Sequence, residues 1–155
     1  MHNRPAASGA HCALVRSVRE PLLNEIPLFD TEALRALARA SAAIDIACAC
    51  VSPPPLAWTS MPMALPQTLL ERVGTLIVGE DFERGVDEFH PQGTTYWSER
   101  APIAIGWYPA NHCEVWRCCD CGRGFLHYTE GGGYFVDRRI RLLDPELIVE
   151  PRVAT

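Results

Sequence analysis

Hydrophobic positions recur along this chain in two different rhythms. Between Thr31 and Ala49, the residues Leu34, Leu37, Ser41, Ile44 and Cys48 recur at alternating spacings of three and four on an Ala-rich background. That is the period of an amphipathic helix, and Asp30 is placed to cap it. Pro53, Pro54 and Pro55 end the pattern, and with Pro62 and Pro66 they make Ser52 to Leu65 an extended connector. Pro66 suits the first position of a second, short helix to Val73, with Gly74 closing it and a strand over Thr75 to Val78 following. From His90 onward the rhythm changes to short apolar and aromatic runs separated by Pro, Gly and Asn, the pattern of an antiparallel sheet. The runs are Thr94 to Trp97, Ile103 to Tyr108, Glu114 to Arg117, Phe125 to Thr129 and Tyr134 to Arg141, with Gly131, Gly132 and Gly133 as a hairpin turn before the last. In that last run Tyr134, Val136 and Ile140 fall on one face and Phe135, Asp137, Arg139 and Arg141 on the other, which predicts one packed and one solvated face. Leu147, Ile148 and Val149, after the Asp144-Pro145 break, read as an added edge strand.

These elements predict an α+β fold in which an N-terminal helical part packs on a C-terminal antiparallel sheet. Residues 1–29, with Pro5, Pro21 and Pro27 among scattered apolar positions, read as a loose lead-in. The domain then runs over 30–155, helical over 30–74 and sheet over 75–155. Composition agrees: 155 residues, 48% hydrophobic and 21% charged, match one globular domain and exclude a disordered chain. Eleven of the 13 aromatic residues lie between Phe82 and Phe135, which places the main core in the sheet part. The one long apolar run, Ala42 to Val51, is interrupted by Asp45 and too short to span a membrane. Met1 to Ala10 lacks the basic-then-apolar order of a signal peptide, so the expected compartment is the cytoplasm. A net charge of -5 argues against generic affinity for nucleic acid or anionic membrane. All 14 basic residues are Arg, which beside the Ala and Pro abundance reads as GC-rich codon usage.

Seven cysteines in a reducing compartment point to metal ligation or buried thiols before disulfides. The strongest chemical signal is Cys118-Cys119-Asp120-Cys121-Gly122-Arg123, between Val115-Trp116 and Phe125-Leu126. A Cys-x-x-Cys-Gly between two strand-like runs resembles the knuckle of zinc-ribbon proteins: a tight turn aims two thiolates at one metal, and glycine permits the backbone after the second. A structural zinc takes four ligands, so two more are needed. Cys113 is nearest, although five residues of extended strand would carry it roughly 16 Å from Cys118 and onto the opposite face. His90, in the turn-like His90-Pro91-Gln92-Gly93, has enough chain between to fold back. The working expectation is therefore a Cys3His zinc site of Cys118, Cys121, Cys113 and His90. Cys12, Cys48, Cys50 and Cys119 rank below these, since cysteine is also a common small buried hydrophobe. The spacing Cys113-x4-Cys118-x2-Cys121 also matches the iron–sulfur loop of plant-type ferredoxins, but no Cys follows Cys121 to complete that set.

The stretch from about Trp58 to Val149 carries Tyr96-Trp97-Ser98, Ala101-Pro102-Ile103-Ala104, the knuckle, Phe125-Leu126-His127-Tyr128-Thr129-Glu130-Gly131-Gly132 and Arg139-Ile140-Arg141. It is similar to a family of small uncharacterised proteins of proteobacteria. The resemblance implies a compact bacterial domain and carries no activity with it.

Three functions compete. The first is a non-enzymatic protein-binding domain stapled by structural zinc, of the immunity or inhibitor type, in which the acidic stretch Glu80, Asp81, Glu83, Asp87 and Glu88 steers a basic partner. The second is single-stranded nucleic-acid binding by Arg117, Arg123, Arg139 and Arg141 with Trp116 and Tyr128, which combines basic groups with stacking rings. The third is a zinc-dependent hydrolase with three protein ligands and an open position. The sequence has no His-Glu-x-x-His helix, no zinc-deaminase pair of motifs and no nucleophile elbow, so no catalytic residue is assigned and the non-enzymatic reading leads.

Overall fold

Strand β5, Gly124–Gly131, is the middle of the molecule. In the computed structural model, which describes residues 26–80, 85–131 and 134–151, residues Gly124 to Tyr128 of this strand are buried without interruption. A strand buried on alternate and on intervening positions must be covered on both faces. Around it lies a five-stranded antiparallel sheet in the order β1-β6-β5-β4-β2, with β1 at Thr59–Ser60, β2 at Leu70–Thr75, β4 at Glu114–Cys118 and β6 at Val136–Leu142. A separate pair, β3 (Ile103–Ala104) and β7 (Ile148–Val149), runs parallel.

Register assigns each side chain to a face. Val115 stands opposite Leu126 and Trp116 opposite Phe125; on the other side Leu126 faces Arg141 and His127 faces Ile140. Val115, Leu126 and Tyr128 thus share one face, where they pack against Leu34 and Ala38 of the helix and against Trp58, Ile103 and Ile148. Cys118, Phe125 and Ile140 share the other, under Cys50, Leu69 and Leu70.

Helix α1 spans Thr31–Ala42, and the Asp30 carboxylate accepts from the Ala33 amide at 2.7 Å as the sequence expects. Leu34, Ala38 and Ser41 are buried. The helix stops short of the expected Ala49. Ile44 N–H donates to the Ser41 carbonyl, tightening the last turn, while the Arg123 guanidinium takes the Ile44 carbonyl at 3.0 Å. Ile44 and Cys48 therefore leave the helical stripe, and the chain crosses to the other face of the sheet. At the crossing of α1 and β5 only glycine fits: a Cβ at Gly124 would lie 2.9 Å from both Leu37 Cγ and Leu143 Cδ1, and the Gly124 amide donates to Ser41 Oγ at 3.0 Å.

Several expectations are corrected. Helix α1 is the single α-helix among the described residues, so the helical part over 30–74 reduces to it and two one-turn 3-10 segments, Ala49–Val51 and Gln67–Leu69. Of the expected helix from Pro66 to Val73, Gln67–Leu69 is a single 3-10 turn and the rest belongs to strand β2, which ends at Thr75 where a strand to Val78 is expected to begin and pairs with β4 through a bulge between Arg72 and Gly74. Local helical preference is weak against a complete ladder and the burial of Leu70. Gly74 closes no helix; a Cβ there would overlap the Phe29 ring, so the glycine serves a close approach. Thr94 to Trp97 forms no strand and turns at Tyr96 and Trp97, and of Ile103 to Tyr108 only the first two residues pair. The face expected to be solvated is covered as well, and Arg141 on it is 1% exposed. Residues 1–25 of the expected lead-in lie outside the described residues; Leu28 already bridges Thr75. No helix of the described residues is long and apolar enough to cross a membrane.

Candidate metal centre

Two short segments converge on the second face of the sheet. The first follows α1. Cys48 precedes the 3-10 turn Ala49–Val51, which carries Cys50. Val51 N–H and the Ser52 hydroxyl both donate to the Cys48 carbonyl, at 3.2 and 3.1 Å, and this closes the turn so that both thiols of a Cys-x-Cys point inward. The second segment joins β4 to β5. Cys118 N–H donates to the Arg123 carbonyl at 2.8 Å and Gly122 N–H to the Cys118 carbonyl at 3.0 Å. Gly122 sits at φ 89°, in the left-handed region that favours glycine. This is the knuckle the sequence expects, with Cys118 at the strand end and Cys121 in the turn.

Between them the four sulfurs of Cys48, Cys50, Cys118 and Cys121 all lie within 4.8 Å of one another. Cys48 Sγ is 3.6 Å from Cys118 Sγ, and Cys50 Sγ is 3.5 Å from Cys121 Sγ. Four sulfurs around one tetrahedral zinc at about 2.3 Å would stand about 3.8 Å apart, so the cluster has the dimensions of a one-metal site. The Arg123 amide points at Cys121 Sγ at 3.5 Å, the kind of N–H contact that stabilises a thiolate. Cys118 and Cys50 are 1% and 4% exposed. The Cys50 thiol, opposed by burial and assisted by the Cys121 and Asp120 amides and by Cys48, holds Cys118 as a thiolate with a pKa lowered to about 5. Cys50 is raised in return, by that same hydrogen bond and by burial.

Cys118 and Cys121 are brought together; Cys113 and His90 are placed elsewhere. Cys113 is fully buried in the core on the opposite face of the sheet, its thiol donating to the Pro109 carbonyl at 3.1 Å. β4 runs extended between Cys113 and Cys118, as the parity of a strand requires. His90 is held by Thr94 Oγ1 at 2.8 Å and by Glu88 Oε1 at 2.9 Å. The residues the sequence ranked low, Cys48 and Cys50, complete the cluster. The available signal was their Cys-x-Cys spacing just before a proline run, obscured because the Ala-rich background reads as a continuing helix.

Of the acidic stretch, Glu80, Asp87 and Glu88 are exposed, and Asp81 and Glu83 lie outside the described residues. Of the residues expected to read nucleic acid, Arg117 is exposed. Trp116 is half-buried, its ring 5.0 Å from that of His127, and Arg123 is committed to Ile44. Tyr128 is 3% exposed. Arg139 is enclosed in a polar network: Nε donates to Asp137 at 3.0 Å, Nη1 donates to Tyr96 OH at 2.9 Å, and Glu130 lies 3.7 Å away. Tyr108 OH donates to Glu130, and the Tyr96 and Tyr128 hydroxyls share a further hydrogen bond.

Comparison with protein-family models, with curated proteins and with solved structures finds no match for this chain.

Proposed function

We propose that Cys48, Cys50, Cys118 and Cys121 bind one structural zinc ion and that the chain is a non-enzymatic protein-binding domain. The observation that carries the first part is the approach of four sulfurs, from segments 70 residues apart in sequence, to within 4.8 Å of one another. A site with four protein thiolates leaves no open position, which favours a structural metal over a water-activating one and weakens the hydrolase alternative. The burial of Arg141 and Tyr128 and the enclosure of Arg139 leave few basic and stacking groups for a nucleic acid. Protein binding is supported by what is left at the surface. Tyr134, Phe135 and Val136, at the start of β6, are 103%, 72% and 67% exposed, an apolar group of the kind that marks an interaction site. An acidic segment that includes Glu80, Asp87 and Glu88 supplies long-range attraction for a basic partner of the immunity-protein kind.

The test is elemental analysis of purified protein. One zinc per chain is expected in the wild type and in Cys113→Ser, and less than a tenth of that in Cys48→Ser and Cys121→Ser. Unchanged zinc in the last two overturns the ligand set. Affinity capture with the wild type beside a Phe135→Ser, Val136→Ser double variant tests the second part. Loss of a captured protein in the variant is expected, and identical capture refutes this surface.

A further inference from the structure

Pro53 and Pro55, from the run that follows the first cysteine pair, stand with Pro62, Leu65 and Ile140 around a cavity of about 180 Å³. Cys50 is the one cysteine that lines it. The space is several times the share of one water in the liquid, enough for a molecule of a few heavy atoms. Each proline ring fixes its own φ, so these walls are in place before anything enters. Ser52, Pro53 and Ala64 line the cavity and are exposed, which brings it to the surface. The Ser52 hydroxyl donates to the Cys48 carbonyl at 3.1 Å, and the other lining side chains apart from Cys50 are apolar. Such a space takes up a small neutral molecule and excludes an ion.

The hydrogen bonds to the four sulfurs single out the same residue. Cys118 receives the amides of Asp120 and Cys121, Cys48 that of Cys50, and Cys121 that of Arg123 at 3.5 Å. Around Cys50 stand instead the other three sulfurs. The Arg123 guanidinium acts on Cys50 and Cys121 alike and does not separate them. An amide N–H aimed at a thiolate draws charge from it and fixes it as a ligand. A metal-held sulfur without one keeps more of its charge, stays deprotonated at neutral pH and is the better nucleophile.

We propose that Cys50 is a stoichiometric acceptor of alkyl groups from small neutral alkylating agents, such as methyl halides, which reach its metal-held sulfur through the proline-walled cavity. This rests on the metal reading above. In the step, a lone pair of Cys50 Sγ attacks the methyl carbon, a new S–C bond forms, and the carbon–halogen bond breaks. The halide leaves with the bonding pair. No proton is released and no redox partner is needed, because the metal already holds the sulfur as thiolate. Cys50 becomes a neutral thioether, so each chain reacts once, which accords with a domain that is not an enzyme.

The test is methylation of the full chain by methyl iodide at pH 6, where an ordinary free thiol is less than about 1% ionised. Zinc content is measured on the same sample, and the modified residue is mapped by peptide mass spectrometry over time. Cys50 is expected to gain a methyl group at least fivefold faster than Cys48, Cys118 or Cys121. Iodoacetate, larger and anionic, is expected to spare Cys50. Ala64→Phe narrows the cavity from outside the ligand set and is expected to slow methylation of Cys50 at least fivefold with zinc content unchanged. Zinc-loaded wild type that is methylated first at the more exposed Cys48 or Cys121, or not at all, overturns this proposal and leaves the metal reading standing. Wild type purified without zinc overturns both. The wild-type result decides in each case, whether or not the variant folds.

Discussion

Removing one sulfur from the candidate metal centre should cost this domain a large share of its stability, and the size of the loss follows from chain connectivity. A metal joining Cys50 to Cys121 closes a loop of 71 residues. By the chain-entropy treatment of a cross-link, a loop that long is worth about 4 kcal/mol at 25 °C, as a consequence of restricting the unfolded chain. That is a large share of the roughly 5–15 kcal/mol that holds a typical domain together. For a chain of about 150 residues each kcal/mol moves Tm by about 2–4 °C, so Cys50→Ser should lower Tm by about 8–16 °C. Melting curves of wild type, Cys50→Ser and Cys113→Ser, each with and without a strong chelator, check this. Chelation should lower the wild type to near the Cys50→Ser value and leave Cys50→Ser unmoved. Cys113→Ser is destabilised in its own way, by a hydroxyl placed in an apolar core at a fully buried position, yet it should keep the full chelator-dependent drop. A wild type whose Tm is the same with and without chelator, or a Cys50→Ser protein that still responds to it, would refute the argument that these sulfurs hold the fold through a metal.

Acid should weaken the fold through His127. Burial, with the nearby Arg138 cation adding to it, lowers its pKa from 6.5 to about 4, so the unfolded chain takes up a proton at a pH where the folded one does not. The contribution is complete above pH 6.5 and is lost as pH falls toward 4, by about 3 kcal/mol in all. Denaturant unfolding across that window should show a shallower decline in His127→Gln, and parallel curves for the two proteins would contradict this. Gly124→Ala should destabilise by about 1–3 kcal/mol, because its Cβ meets Leu37 and Leu143 at 2.9 Å; urea midpoints give the value, and an unchanged midpoint means α1 can move away freely. Asp30→Ala removes the acceptor of the Ala33 amide and should cost about 1 kcal/mol. Asp30→Ser, which restores an acceptor, should recover most of that in the same urea assay.

How far the fold is legible in sequence varies by segment. The start of α1 was readable because a cap and the first turn of a helix are local: Asp30 and the spacing of Leu34 and Leu37 suffice. Its end was not, since nothing near Ala42 stops a helix; the Arg123 guanidinium does so from 79 residues away. Strands β4, β5 and β6 are each legible to within one or two residues, for alternation and β-branched or aromatic content are local signals. β2 is not legible locally, because Leu70 to Thr75 becomes a strand only when β4 is there to pair with it.

The candidate site divides in the same way. The sequence by itself determined the knuckle, since Cys118-x-x-Cys121-Gly122 carries its own turn; for Cys113 the two-residue period of the strand prevails over its place in the expected ligand set and sends it to the other face. Tertiary structure alone decided which sulfurs complete the set. Cys48 and Cys50 reach Cys118 and Cys121 because α1 ends early and the chain crosses the sheet, and no local pattern encodes a meeting of segments 70 residues apart. It also decided the standing of Arg141. In sequence it alternates with Ile140 and reads as solvent-facing, but β5 is covered on both faces, and a position that period alone sends outward is thereby sent into a second core.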